Sequence, residues 1–432
     1  MNPVLVGYIA IFVLILLIFS RMHIGIAMGL VGFIGFACIL GWDKALGLLK
    51  TVPYTTFASK DMSVIPLFIL MGSFGFASGM SEDLYRAIHK FLGHLKGGLA
   101  MATVVACACF AAISGSSLAT AATLGRVAMP EMKKHNYHAS LATGAIAAGG
   151  SIGILIPPSV ILIIYGIITE QSIAELFLAG FIPGVLEAVF YILTIIFLTR
   201  RNPQLGPAGP RCTTTEKLAS LSKIWEVVVL FVVVIGGIYT GIFTPTEAAG
   251  IGAFGALCFA LMRRKMTWES FKLSLSGTIN TTGMLFLIVL GAMILGYFFS
   301  ISRLPFELAT FVSSLPVNRY VILVLILFVV LLLGCIMDSL AIVLLTVPVF
   351  FPIIQELGFH PVWFGIIVVR VTEMGLITPP VGLNVYIIQG ITGERMETVF
   401  RGVLPFIVAD VCEIILLILI PQLSLFLPSL MS

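Results

Sequence analysis

The sequence predicts an all-α integral membrane protein made of two inverted-topology repeats of about five crossings each plus two re-entrant hairpins. Three observations support this fold class: an apolar composition, rare residues that recur at a fixed spacing, and the positions of the positive charges. Of the 432 residues, 59% are hydrophobic and only 10% are charged. Apolar runs of about 20 residues recur along the chain, which is the length of a helix that crosses a membrane.

The charges and cysteines argue against several classes of function. The net charge of +4 comes from short Lys and Arg clusters between apolar runs, where topology signals lie, so we expect no nucleic-acid partner. The seven cysteines lie mostly inside apolar segments, and their spacing suits neither a metal site nor a disulfide framework. A small buried hydrophobic role is therefore expected for them.

Rare residues recur 222 positions apart. The same shift pairs Ser117-Leu118-Ala119 with 339–341 and His138 with His360. Every proline between residues 114 and 185 also has a partner: Pro130 and Pro352, Pro157 and Pro379, Pro158 and Pro380, Pro183 and Pro405. Apolar residues coincide easily by chance, but prolines and histidines do not. The chain is therefore predicted to contain two copies of one membrane unit.

An odd number of crossings in each copy predicts the inversion. The candidate crossings of the first copy are 4–20, 24–41, 62–80, 138–168 and 176–199. With five crossings, the second copy enters the membrane from the opposite side, as in the inverted repeats of secondary transporters. The predicted units are repeat one at 1–199, a linker at 200–223 rich in Pro and Gly, and repeat two at 224–432.

Positive charge predicts the orientation. If the N-terminus is outside, the main clusters of Lys and Arg all lie on the inner side of the membrane. These are Lys133-Lys134, Arg263-Arg264-Lys265 and five cations of the linker. Because cytoplasmic segments carry excess Lys and Arg, the linker is predicted to be cytoplasmic and both termini periplasmic.

Two apolar stretches are predicted to turn back at membrane depth. The stretch 97–131 is long enough to cross, yet Lys96 and Lys133 at its ends both belong on the inside. A re-entrant hairpin with a polar tip at Ser114-Gly115-Ser116-Ser117 resolves this conflict. The counterpart at 319–355, with its tip at 334–339, enters from outside. The two tips are therefore expected to meet near the centre of the fold.

Beside each tip lies a double proline in an otherwise apolar span. Pro157-Pro158 follows a glycine-rich segment, and Pro379-Pro380 lies at the equivalent position. Since proline removes a backbone donor and clashes with the preceding turn, two broken helices with free carbonyls are expected. Such carbonyls and nearby hydroxyls suit a hard cation such as sodium. The alternative is that each double proline only kinks its helix for packing.

Four strings carry a family resemblance: SGSSLATAATLG, GGSIGILIPPS, GIFTPTEAAG and GLITPPVGLNVY. Together they resemble the large membrane subunit of the tripartite ATP-independent periplasmic (TRAP) transporters, over essentially the whole chain. The resemblance implies an elevator-type ion transporter fold in the bacterial inner membrane that imports a small organic acid (a dicarboxylate, keto acid or sialic acid) with sodium. It also implies two partners, a separate small four-helix membrane subunit and a periplasmic substrate-binding protein, and no organic cofactor.

The resemblance also suggests site residues. One sodium site would use Ser114, Ser116 or Ser117 with carbonyls near Gly150, Gly153 and Pro157. Its mirror would use Gly334, Asp338 and Ser339 with Val371, Thr372, Met374 and Thr378. Substrate is expected at Ser116, Asp338, Arg370 and Asn384. The copies differ here, because Asp338 occupies the position in the second copy that Ser116 occupies in the first. This asymmetry is expected to serve an asymmetric substrate.

Charged residues inside spans are usually paired or functional. Asp338 is the strongest single candidate. Arg370 either meets a substrate carboxylate or forms an ion pair with Glu373 or another neighbour. Three further acids in apolar helices are expected to bond to neighbouring helices or to the small subunit: Glu187, Asp410 and Glu413.

Three other functions are compatible with parts of the sequence. The motif Gly149-Gly150-Ser151-Ile152-Gly153 fits the G-x-S-x-G pattern of a hydrolase, but all six histidines fall near span ends, too far to act as its base. An enzyme is therefore not expected. A stand-alone sodium/organic-anion symporter and an anion channel, both working without a binding protein, stay open as alternatives.

Overall fold

The computed structural model describes residues 2–314 and 316–430, except the side chains of residues 111–113 and 313. The described residues form helices and short turns, with no β-strand among them. The helices up to the end of the linker are α1 (Pro3–Phe19), α2 (Ile24–Leu40), α3 (Trp42–Phe57), α4 (Val64–Ala77), α5 (Met80–Leu92), α6 (Gly98–Ser114), α7 (Ser117–Lys134), α8 (Ala139–Ser151), α9 (Val160–Thr169), α10 (Ile173–Arg201) and α11 (Thr214–Leu221).

The remaining helices follow the same order. They are α12 (Trp225–Tyr239), α13 (Pro245–Met262), α14 (Trp268–Ser302), α15 (Leu304–Ser314), α16 (Arg319–Gly334), α17 (Ser339–Glu356), α18 (Pro361–Gly375), α19 (Leu383–Thr392), α20 (Met396–Leu419) and α21 (Gln422–Leu425). Short 3-10 helices occupy Lys60–Ser63, Ile152–Ile154, Pro203–Leu205 and Pro428–Leu430.

Helix boundaries in the two halves correspond closely. A shift of 222 residues takes α7 at Ser117–Lys134 onto α17 at Ser339–Glu356, with no difference at either end. The main departure is α14, one helix of 35 residues, where the first half has α3, a 3-10 turn and α4. The inverted orientation of the halves stays a prediction.

The chain is a multi-pass membrane protein. Six helical segments of the described chain are long and apolar enough to cross a membrane. The number is seven if α11 and α12, which are bent by 48° relative to each other, form one span. Several shorter apolar helices accompany them, among them α1, α2, α9 and α16.

The helices pack as two groups. In the peripheral group, α1 to α4 pack with one another and with α12 to α14. In the hairpin group, α6 to α10 pack with one another and with α18 to α20, while α16 and α17 pack on α18. Within the peripheral group, α2 and α14 approach so closely that a Cβ on Gly291 would lie 2.1 Å from the Gly25 carbonyl oxygen.

The linker is more ordered than its composition suggests. It contains α11, whose first turn has a capping box in which Thr213 and Glu216 bond to each other's backbone. Those hydrogen bonds from Thr213 lower the pKa of the Glu216 carboxyl. Backbone bonds also tie the linker to the first half, since Gly97 N–H donates to Gly206 O (2.8 Å) and Gly209 N–H to Gly93 O (2.8 Å). The linker therefore lies against the base of the first hairpin.

Candidate functional site

Both predicted hairpins are present as helix pairs with short tips. In the first hairpin α6 ends at Ser114 and α7 begins at Ser117. Gly115 between them has φ +61°, a left-handed conformation that favours glycine. In the second hairpin α16 ends at Gly334 and α17 begins at Ser339. The helix α7 continues through Pro130 to Lys134, three residues past the predicted end of the hairpin at 131.

The residue before each returning helix is its N-cap. The Ser116 hydroxyl accepts a hydrogen bond from Ala119 N–H (3.3 Å). The Asp338 carboxylate accepts two, from Leu340 N–H (3.1 Å) and Ala341 N–H (3.2 Å). Serine and aspartate are both favoured at this position, because their side chains satisfy free backbone donors of the first turn. The difference between Ser116 and Asp338 therefore also has a local structural role that the sequence interpretation did not include.

Both predicted helix breaks are present. The helix α8 gives way to a 3-10 turn at 152–154, and α9 restarts at Val160 with Ser159 as its cap. The helix α18 ends at Gly375, and α19 begins at Leu383. The bonds Pro157-Pro158 and Pro379-Pro380 are both cis.

Each hairpin tip touches the break of its own repeat. A Cβ on Gly115 would lie 3.5 Å from the Pro158 carbonyl oxygen. In the second repeat, Gly382 N–H donates to the Cys335 carbonyl oxygen at 3.2 Å. A Cβ on Gly375 would come within 2.6 Å of Gly334 Cα, so only glycines allow this approach of α16 and α18.

The structure brings most of the proposed sodium ligands into two matching clusters. In the first, Ser114 and Thr120 hydroxyls lie 2.6 Å apart, and the Ser117 carbonyl would be 3.2 Å from a Cβ on Gly150. Gly153 and Pro157 follow in the break. In the second cluster the Thr372 carbonyl lies beside Gly334, and the Thr378 hydroxyl donates to the Met374 carbonyl at 2.6 Å. Val371, next to Thr372, and Ser339 are buried.

Glu373 lies between the two tips and is not among the predicted site residues. Its Oε1 accepts a hydrogen bond from the Ser339 hydroxyl, and Ser117 of the first hairpin approaches the same carboxylate. The residue has no exposed surface, and Oε2 has no hydrogen-bond partner within the described residues. The available signal in the sequence is an acid inside a span, which is interpreted there only as a partner for Arg370.

A cavity of about 590 Å³ opens beside the tips. Residues 114–119 of the first tip and 338–340 of the second line it, together with residues of α4 and α14. Ser116 and Asp338, two of the four proposed substrate ligands, are among the lining residues, and Arg126 of α7 is another. The cavity therefore separates the hairpin group from the peripheral group.

Arg370 and Asn384 lie elsewhere. Arg370 is fully buried in an ion cluster, where its guanidinium contacts Glu187 (3.2 Å), Asp410 (2.5 Å) and Glu413 (2.9 Å). With three carboxylates around it, this guanidinium is not placed to meet a substrate in this structure. Its predicted ion pair with a neighbour is confirmed, but the neighbour is not Glu373. Asn384 is also buried and donates to the Ala147 carbonyl at 3.3 Å.

The same cluster accounts for the acids that the sequence left unassigned. Glu187 is on α10, whereas Asp410 and Glu413 are on α20. Their predicted bonding to neighbouring helices is confirmed, because all three meet the guanidinium of α18. Ser151, the serine of the hydrolase-like motif, donates to the Ala148 carbonyl at 2.6 Å and lies 3.3 Å from both Glu187 and Tyr191.

Two hairpin tips that line one cavity, each beside a broken helix, define the class of this protein as an integral membrane transporter. The family model for the tripartite ATP-independent periplasmic transporter, DctM component, matches residues 11–423. The chain belongs to this family.

Curated relatives match over most of the chain. The C4-dicarboxylate TRAP transporter large permease protein of Pseudomonas aeruginosa is 36% identical, over 90% of this chain and 93% of that protein. The sialic acid TRAP transporter large permease protein of Vibrio cholerae is 34% identical, over 85% of this chain and 86% of that protein. Among solved structures, the YdaH transporter of Alcanivorax borkumensis has a similar fold, with a TM-score of 0.60 at 17% identity over 88% of this chain and 89% of that one.

Proposed function

We propose that this chain is the permease subunit of a bacterial inner-membrane transporter that imports a small organic acid together with sodium. The substrate is delivered by a periplasmic binding protein, and a small membrane subunit completes the complex. The hairpin group moves across the membrane against the peripheral group, carrying the cavity from one side to the other.

The cavity between the two hairpin tips carries this proposal. Hydroxyls of both tips lie at the N-terminal ends of α7 and α17, where the helix dipole favours an anion. Hydroxyl and carbonyl oxygens beside the two breaks supply the ligand chemistry of sodium. Glu373, buried between the tips, adds a carboxyl group whose ionised form a bound cation would balance.

The walls of the cavity support alternating access. One wall belongs to the hairpins and the other to α4 and α14 of the peripheral group. The lining residues Ser270 and Leu273 follow the last residue of Arg263-Arg264-Lys265 by five and eight positions, and this cluster is assigned to the cytoplasm by its charge. The cavity then faces the cytoplasm in this conformation, as expected after release of a substrate.

The substrate class comes from the relatives. Besides those named for C4-dicarboxylates and sialic acid, similar permeases are named for isethionate and for 2,3-diketo-L-gulonate. All four are small organic anions with a carboxylate or a sulfonate. We therefore propose a substrate of this kind.

Uptake into proteoliposomes tests the function. The chain is reconstituted with its small subunit and candidate binding proteins, and radiolabelled succinate, sialic acid, isethionate and diketogulonate are offered in turn. We expect saturable uptake of one acid that requires both its binding protein and an inward sodium gradient at zero voltage. Uptake without the binding protein would favour a stand-alone symporter, and uptake that ignores the sodium gradient would favour a channel.

Asp338→Ala is expected to reduce sodium-coupled uptake at least tenfold, because the change removes the one carboxylate among the described lining residues of the cavity. It also removes the N-cap of α17, at a cost of about 1 kcal/mol. Asp338→Asn keeps a good cap and separates the two effects. Initial rates of uptake at limiting sodium are the measurement, with protein amounts matched. Wild-type rates in both variants would remove Asp338 from the site.

A further inference from the structure

Arg126 lies on α7 of the first hairpin, in the wall of the cavity. Its side chain is exposed rather than buried. Within the described part of the chain it makes no hydrogen bond and no ion pair, unlike Arg263, Arg370 and Arg401, which all have carboxylate partners. A cation inside a membrane segment is costly unless it is paired or faces water. The cavity satisfies this requirement by exposing Arg126 to water, and it leaves the guanidinium open to an anion.

The other charges near the cavity leave Arg126 free. Asp338 is the carboxylate among the described lining residues, and it accepts hydrogen bonds from the first turn of its own helix. Glu373 is buried behind Ser339 and does not line the cavity. No second cation occurs among those lining residues. Arg126 is thus the one full positive charge that the described cavity wall offers to a bound anion.

The position of Arg126 along α7 suits a short, extended molecule. It is nine residues beyond Ser117, a rise of about 13 Å along the helix axis. Helical side chains lean back toward the helix N-terminus, so the guanidinium reaches part of the way to the tip. Arg126 shares a face of α7 with Ala119 and Ala122, which also line the cavity. A small organic acid along this face would have one end near Ser116 and the other at Arg126.

We propose that Arg126 binds the carboxylate or sulfonate group of the transported anion. A guanidinium forms two parallel hydrogen bonds with such a group, which fixes its orientation as well as its charge. This inference rests on the proposed function and gives the substrate-binding role expected of Arg370 to a different residue. Since α7 belongs to the hairpin group, the bound anion would move with the cavity.

Kinetics of substitution test this role. We use the acid that the wild-type complex imports best from succinate, sialic acid, isethionate and diketogulonate. Arg126→Gln is expected to raise KM for that acid by roughly ten- to a hundredfold, the range for losing a hydrogen bond to a charged group. Arg126→Lys keeps the charge but loses the two parallel N–H donors of the guanidinium, so a smaller rise in KM is expected. Arg86→Gln, which breaks an exposed pair with Glu82 outside the cavity, is the matched control.

Chemical restoration of the charge gives a second readout. In a background without native cysteines, Arg126→Cys is treated with a thiol reagent that adds an ammonium group or with one that adds a sulfonate. The ammonium reagent is expected to lower KM again and the sulfonate reagent to raise it further, and bound acid should slow both reactions.

The outcomes separate the two proposals. An unchanged KM in Arg126→Gln, a fall in kcat alone, or equal effects of both reagents would overturn the assignment of Arg126 while leaving sodium-driven uptake intact. Failure of the wild-type complex to import any of the four acids would overturn the proposed function first, and this assignment with it.

Discussion

Replacing Arg370 with methionine is expected to lower the free energy of unfolding by about 3–5 kcal/mol, the usual cost of removing one partner from a buried ion pair. The side chains of Arg370 and Glu187 have no exposed surface, and that of Glu413 has 1%. Without the guanidinium, three carboxylates would face one another with no cation beside them among the described residues. Each would need to take up a proton or draw in water, and α10, α18 and α20 would lose their common contact.

Thermal melting of the detergent-purified protein is the measurement. Arg401→Met is the matched control, because Arg401 is 73% exposed and pairs with Glu397 on the protein surface, where an ion pair contributes about 1 kcal/mol or less. Combining Arg370→Met with Asp410→Asn and Glu413→Gln is expected to recover part of the lost stability, because the uncompensated charge is then smaller. A melting temperature of Arg370→Met equal to that of Arg401→Met would show that the cluster does not hold the three helices together.

Glu373→Gln is expected to raise the sodium concentration for half-maximal uptake at least tenfold. Glutamine keeps the size of the side chain and can still bond to Ser339, but it cannot ionise to balance a cation between the tips. If two cations bind beside the breaks, the ionised carboxylate attracts both, and one charge-assisted interaction is worth about 1.5–3 kcal/mol.

The control for this prediction is Glu356→Gln, at the exposed end of α17, which is expected to leave the sodium dependence unchanged. Uptake is measured over a range of sodium concentrations at a saturating concentration of the acid. If Glu373→Gln and wild type give the same curve, the carboxylate takes no part in cation binding. A lower maximal rate with the same sodium dependence would restrict Glu373 to holding the hairpin tips together.

The hairpins and broken helices could be predicted because backbone chemistry determines them locally. The Pro-Pro pairs cannot continue a helix, and Gly115 adopts a conformation that favours glycine. Lys96 and Lys133, which belong on the same side by their charge, favour a hairpin over a complete crossing of the stretch between them. Each of these signals lies within the segment that it describes, so a single sequence was sufficient.

The ion cluster and the cavity could not be predicted in the same way. The partners of Arg370 on α20 are 40 and 43 residues away in the chain. The acids of the cluster also do not follow the repeat. Under the shift of 222 residues, Glu187 corresponds to Ala409, and Asp410 corresponds to Ala188. Arg126 lies in no motif that was singled out, and its place in the cavity depends on how α4 and α14 pack against the first hairpin.

The proposed transport requires that the cavity cross the membrane with the hairpin group. Single cysteines at Thr123 of α7 and Leu273 of α14, both lining the cavity, are labelled with an impermeant reagent in cells and in inverted vesicles. We expect Thr123→Cys to react from either side, with a ratio that shifts with sodium and the acid, and Leu273→Cys to react from the cytoplasmic side only. Labelling of both cysteines from the same single side under every condition would contradict the account.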